Sequence, residues 1–140
     1  MKVLLVDDEV DFVEVLAERL EARGLKVETA GDGQAALVKA AERTFDAILL
    51  DMAMPKLDGI QTLRGLLKIN SDLQVILLTG HATVEKGIEA MKLGAMDLIE
   101  KPADLSTIVD RIKSAKAEKI ILVEKKSEKR IRDLLTRKGW

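Results

Sequence analysis

The stretch A-I-L-L-D, residues 47–51, decides the fold. Four aliphatic residues in succession, with no polar residue alternating between them, describe a strand buried on both faces. Strands of that kind belong to parallel sheets covered by helices on each side. The run ends in a carboxylate, Asp51, with only Met52, Ala53, Met54 and Pro55 directly after it. A charge at the end of a core strand requires a compensating cation from elsewhere in the chain.

Similar short runs lie on either side: K-V-L-L-V (2–6), L-K-V-E-T (25–29), Q-V-I-L-L-T (74–79) and M-D-L-I (96–99). Between them, Phe12, Val13, Val15, Leu16 and Leu20 repeat at helical spacing. So do Ala35, Ala36, Leu37, Ala40 and Ala41, then Ile60, Leu63, Leu66 and Leu67, and then Val84, Ile88 and Met91. Strand and helix alternate five times, which predicts a parallel sheet with right-handed crossover helices on both faces. Gly24 and Gly94 stand where helices should stop, and Asp104 is placed to cap a helix beginning near Leu105.

The totals limit what this architecture can do. With 140 residues there is room for one domain and an appendage. Two Phe, one Trp and no Tyr leave an aliphatic core and no platform for stacking bases. The absence of cysteine excludes disulfides, thiolate zinc sites and cysteine nucleophiles. No apolar run reaches the ~18 residues a membrane span needs, and acid interrupts the start too early for a signal-peptide core, so a cytoplasmic protein is expected. Charge is uneven: residues 1–112 hold 13 basic and 20 acidic side chains, residues 113–140 hold 10 and 4. An acidic body therefore carries a basic tail.

In doubly wound folds ligands bind beyond the carboxyl ends of the strands. Reading those ends in order gives Asp7 and Asp8, then Asp51, Thr79 and Lys101-Pro102. Three carboxylates, a hydroxyl and an amine are thus delivered to one edge. Clustered carboxylates repel, and an oxygen-seeking divalent cation such as Mg²⁺ relieves them; no thiol or imidazole stands at these strand ends to make it a zinc site. A carboxylate beside Mg²⁺ and a lysine can act as a nucleophile toward phosphorus. Asp51 would draw its compensating charge from Lys101 and the metal.

These positions, with M-A-M-P-K-L-D-G after Asp51 and Gly80-His81-Ala82 after Thr79, resemble in order and spacing the receiver domain of bacterial two-component response regulators, over roughly residues 1–115. The resemblance implies a flavodoxin-like, five-stranded parallel sheet of order 2-1-3-4-5. It implies that Asp51 accepts a phosphoryl group from a phosphohistidine on a sensor histidine kinase or histidine-phosphotransfer protein, and that the domain is a switch for protein contacts rather than a conventional enzyme. Mg²⁺ would be bound by Asp8, Asp51 and the backbone carbonyl of Ala53, with Asp7 reaching it through water. Lys101 would contact the phosphoryl group, Thr79 would be the switch hydroxyl, and Lys101-Pro102 would be cis. Asp58-Gly59 would form the turn after the phosphorylation loop.

The chain departs from the family pattern at two of these places. Leu98 replaces the ring usual three residues before the lysine, and is read as strand packing; Ala53 replaces a polar side chain that often influences dephosphorylation. His81, the only histidine, is either an exposed loop residue or a group that tunes attack by water.

Residues 1–116 are read as the receiver and 117–140 as a basic extension, with no recognisable effector domain. No Gly or Pro occurs from Asp104 to Lys138, and Leu105, Ile108, Val109 and Ile112 form one apolar face. Beyond them, Ile120, Val123, Ile131, Leu134 and Leu135 either prolong one helix, or Ile120–Val123 is a short strand or hinge with Ser127 capping a separate helix. An apolar stripe on a lone helix calls for a partner, a second copy or the body. DNA binding through the tail is a weaker alternative, since the tail is too short for a helix-turn-helix unit. A haloacid-dehalogenase-like phosphatase is another, but it would need an acid where Ala53 stands. No G-x-G-x-x-G or P-loop follows the first strand.

Overall fold

The computed structural model describes residues 1–54, 59–80 and 84–137. Strands and helices alternate throughout: β1 (Lys2–Val6), α1 (Val10–Ala22), β2 (Lys26–Ala30), α2 (Gly33–Glu42), β3 (Ala47–Asp51), α3 (Gly59–Ile69), β4 (Val75–Thr79), α4 (Val84–Leu93), β5 (Asp97–Glu100) and α5 (Leu105–Arg137). The strands form one parallel sheet in the order β2-β1-β3-β4-β5.

Continuity of the apolar runs tracks position in this sheet. β3 and β4, each with two strand neighbours, are buried at every residue, and β1 at all but its first. β2 and β5 lie at the edges and are only partly covered, which is why L-K-V-E-T and M-D-L-I carry polar residues. Successive side chains then serve two cores. Leu4, Val6, Ile48, Leu50, Val75 and Leu77 pack under α2, α3 and α4 through Ala36, Leu63, Leu66 and Ala90. Val3, Leu5, Leu49, Ile76 and Leu78 face α1 and α5 through Val13, Leu16, Leu20, Ile108 and Ile112.

Both glycines expected to stop helices do so at positive φ, 88° at Gly24 and 118° at Gly94. Each closes its helix with paired backbone bonds, Leu25 N–H to the Leu20 carbonyl and Gly24 N–H to Glu21, and likewise Ala95 to Ala90 and Gly94 to Met91. Asp32 caps α2 through Ala35 N–H at 2.8 Å, and the Asp104 carboxylate accepts from the Thr107 hydroxyl at 2.5 Å in the first turn of α5.

The tail resolves in favour of one helix. α5 runs 33 residues without a break, about 50 Å at 1.5 Å per residue. A strand at Ile120–Val123 would need a sheet edge to pair with, and this segment instead follows directly on a helix already packed along the sheet face and continues its turns. Burial on α5 ends at Ala115. Further contacts are few: the Lys119 ammonium donates to the Phe45 carbonyl at 2.9 Å, Leu122 is half-buried, and Lys126 pairs with Asp72. Ser127 is exposed in mid-helix. No described helix is long and apolar enough to cross a membrane.

Candidate functional site at the carboxyl edge of the sheet

The parallel register brings the functional side chains together. Asp51 and Thr79 are the last residues of the adjacent inner strands β3 and β4, Asp7 follows β1 directly, and Lys101 follows β5. Because every strand points the same way, one edge of the sheet collects all four.

Asp7 and Asp51 are buried, 1% and 4% exposed, while Asp8 beside them is exposed. One oxygen from each of the three carboxylates lies within 4.8 Å of the others. Neither Asp7 nor Asp8 is the N-cap of α1; that residue is Glu9, whose own side chain makes no cap bond. Instead Asp7 Oδ1 accepts the Glu9 N–H at 3.0 Å, a local bond that ties the acid to the start of the helix.

The Lys101 ammonium supplies the cation that Asp51 requires, but shares it. It donates to Asp7 Oδ2 at 3.2 Å and stands 3.6 Å from Asp51 Oδ1. Burial pushes the Asp51 carboxyl above its ordinary range and Asp7 adds to this, against the opposing pull of Lys101 and the Ala53 N–H. Burial alone would depress the Lys101 amine, yet Asp51 and Asp7 together hold it above its usual value. Among the described residues one ammonium, paired with Asp7 and Asp51, stands at a cluster of three carboxylates, and this all-oxygen donor set fits a hard divalent cation.

Around this centre, Ala53 is exposed and donates its N–H to Asp51 Oδ1 at 3.3 Å. Thr79 is fully buried, and its hydroxyl has no hydrogen-bond partner among the described residues. Its carbonyl accepts from Lys101 N–H at 2.7 Å, next to the cis Lys101-Pro102 bond. Leu98 is half-buried and packs into the core under α4, as its reading as strand packing expects. There it lies so near Gly87 that a Cβ on that glycine would come within 2.8 Å of Leu98 Cδ1. His81 and Asp58 lie outside the described residues.

One neighbour was not legible in the sequence. The Phe12 ring lies under the Lys101 ammonium, 4.6 Å from nitrogen to ring centroid. Both line a cleft of about 440 Å³ between α1 and α5, floored by Leu16, Leu78, Pro102 and Ile108. Phe12 reads as one more residue of the apolar face of α1, and nothing in the spacing marks its partner 89 positions away.

A family model described as the response regulator receiver domain matches residues 3–113. The transcriptional regulatory protein ZraR of Escherichia coli O157:H7 is 34% identical over 120 residues, which are 86% of this chain and 27% of that protein. The CpxR homolog of Haemophilus influenzae is 40% identical over 113 residues, 81% of this chain and 49% of its own length. The chain therefore spans about a quarter to a half of these relatives. Among solved structures, a response regulator receiver domain protein from Clostridium thermocellum superposes with a TM-score of 0.84 at 35% identity, covering 86% of this chain and 98% of that one. With the fold, the strand-end cluster and these likenesses in agreement, the chain belongs to the response regulator receiver domain family.

Proposed function

We propose that Asp51 is the phosphoacceptor of a two-component phosphorelay, taking its phosphoryl group from a phosphohistidine on a sensor histidine kinase or histidine-phosphotransfer protein. An Asp51 carboxylate oxygen attacks phosphorus, the nitrogen–phosphorus bond breaks, and the departing imidazole keeps the electron pair and gains a proton. The observation that carries the reading is a buried carboxylate at a strand end, 3.6 Å from the one ammonium shared with Asp7.

Asp7, Asp8 and Asp51, with the Ala53 carbonyl, would hold Mg²⁺, which when bound supplies positive charge beside the phosphoryl oxygens. Lys101 moves its donor from Asp7 to a phosphoryl oxygen. Thr79 is the switch: its buried hydroxyl has no partner among the described residues, a buried polar group left unbonded costs about 1–3 kcal/mol, and an acyl phosphate on Asp51 offers an acceptor. The output is a change in protein contacts with a downstream target, not turnover of a substrate, and the setting is the cytoplasm.

The distal part of α5 is the proposed site of self-association or partner binding. Ile120, Val123, Ile131, Leu134 and Leu135 are each 43–57% exposed there.

Intact-protein mass after incubation with acetyl phosphate and Mg²⁺ tests the acceptor. The expected result is one added phosphoryl group on the wild type and none on Asp51→Asn; full labelling of the variant would refute the site.

A further inference from the structure

Lys101 has more than two partners. Its ammonium is held by Asp7 at 3.2 Å, by Asp51 at 3.6 Å and by the face of Phe12 at 4.6 Å, well inside the ~6 Å over which a ring attracts a cation. The lysine side chain is still 25% exposed, and it opens onto the cleft that Phe12 also lines. Ring and amine thus meet at the wall of that cleft.

The two kinds of contact differ in what they ask of the amine. A carboxylate is a directional, charged acceptor, and holding Asp7 at 3.2 Å commits one N–H bond to it. A ring face attracts through its quadrupole, has no lone pair to satisfy and accepts no proton, so the ammonium can pivot upon it. Phosphoryl transfer to Asp51 requires such a pivot, because the amine must leave Asp7 and follow the incoming group. The ring is placed to stay in contact throughout: it stands in the first turn of α1, whose start is tied to Asp7 by the Glu9 N–H bond and closed by Val13 N–H donating to the Glu9 carbonyl.

We propose that Phe12 is a positioning residue for phosphoryl transfer, holding the Lys101 ammonium over Asp51 while its carboxylate partners change. This rests on Asp51 being the acceptor. A purely packing role for Phe12 in the core beneath α1 makes a different demand: the smaller leucine would lower stability there, but would give no reason for the folded protein to label more slowly.

The experiment compares wild type, Phe12→Leu and Phe12→Tyr by initial rate of mass labelling with acetyl phosphate and Mg²⁺. Alongside, the side-chain proton resonances of Lys101 are recorded, because protons over a ring face are displaced upfield. Labelling of Phe12→Leu about threefold to tenfold slower than wild type is expected, with Phe12→Tyr within about twofold. The Lys101 protons should be displaced upfield in wild type and Phe12→Tyr, and not in Phe12→Leu. Equal rates in wild type and Phe12→Leu would overturn the inference alone, as would equal slowing in both variants. Lys101 protons of ordinary shift in the wild type would overturn it without recourse to any variant. No labelling of the wild type would remove the reading of Asp51, and this inference with it.

Discussion

Asp51 is held in the fold at an electrostatic cost. Burial and the neighbouring Asp7 raise its carboxyl above the ordinary value near 3.8, and Lys101 only partly offsets them. An acid whose folded pKa lies above its unfolded one binds its proton more tightly when folded. Its contribution to stability is complete below the unfolded value and is lost as pH rises through the folded value. In metal-free buffer at pH 7 the ionised carboxylate is therefore a liability, and Asp51→Asn should be the more stable protein by about 1 kcal/mol, or roughly 2–4 °C in Tm. Thermal melts in EDTA from pH 3 to 8 check the sign: the advantage of the variant should shrink toward zero on acidification. An advantage that grows at low pH would contradict the assignment.

Two glycines separate contact with backbone from contact with a side-chain tip. A Cβ on Gly59, at the start of α3, would lie 2.7 Å from the Met52 Cα, one residue past Asp51, and backbone cannot swing aside. Gly59→Ala should cost about 1–3 kcal/mol in urea unfolding and, by displacing the strand end, weaken the Mg²⁺ binding proposed for Asp51. A Cβ on Gly87 in α4 would meet the Leu98 Cδ1 at 2.8 Å and Thr79 Cγ2 at 3.2 Å. The leucine tip can rotate away, and alanine gains about 1 kcal/mol of helix propensity, so Gly87→Ala should fall within about 1 kcal/mol of wild type. An equal cost for both variants would show that Leu98 is as rigid as the Met52 backbone.

For the whole molecule, the partition into a receiver of residues 1–116 and an extension of 117–140 is a proposal about energetics, because α5 crosses that boundary without a break. Its basis is that the helix contributes its last buried side chain at Ala115. What lies beyond adds the Lys119 bond to Phe45, the half-buried Leu122 and the exposed Lys126–Asp72 pair, of which a surface ion pair is worth at most ~1 kcal/mol. Deleting 117–140 should leave a cooperative unfolding transition lowered by only a few degrees. If the exposed apolar face is an association surface, sedimentation should show the full chain heavier than the truncated one after correction for the missing residues. Equal states of association and unchanged partner affinity would remove that role from the tail.

The order of apolar runs and helical faces by itself determined the alternating architecture, because strands buried on both faces and amphipathic crossovers leave separate periodic signatures. With the strand ends located, Asp7, Asp8, Asp51, Thr79 and Lys101 followed as residues of one edge, since parallel strands all finish on the same side. Only the tertiary structure decided how those groups share charge. That the ammonium sits closer to Asp7 than to Asp51, and that Phe12 lies beneath it, are matters of a few tenths of an ångström between segments far apart in the chain. Local pattern carries no such distances. The continuity of α5 was likewise undecided in the sequence, because an apolar run such as Ile120–Val123 satisfies a strand or a helix equally, and only the presence or absence of a neighbouring edge selects between them.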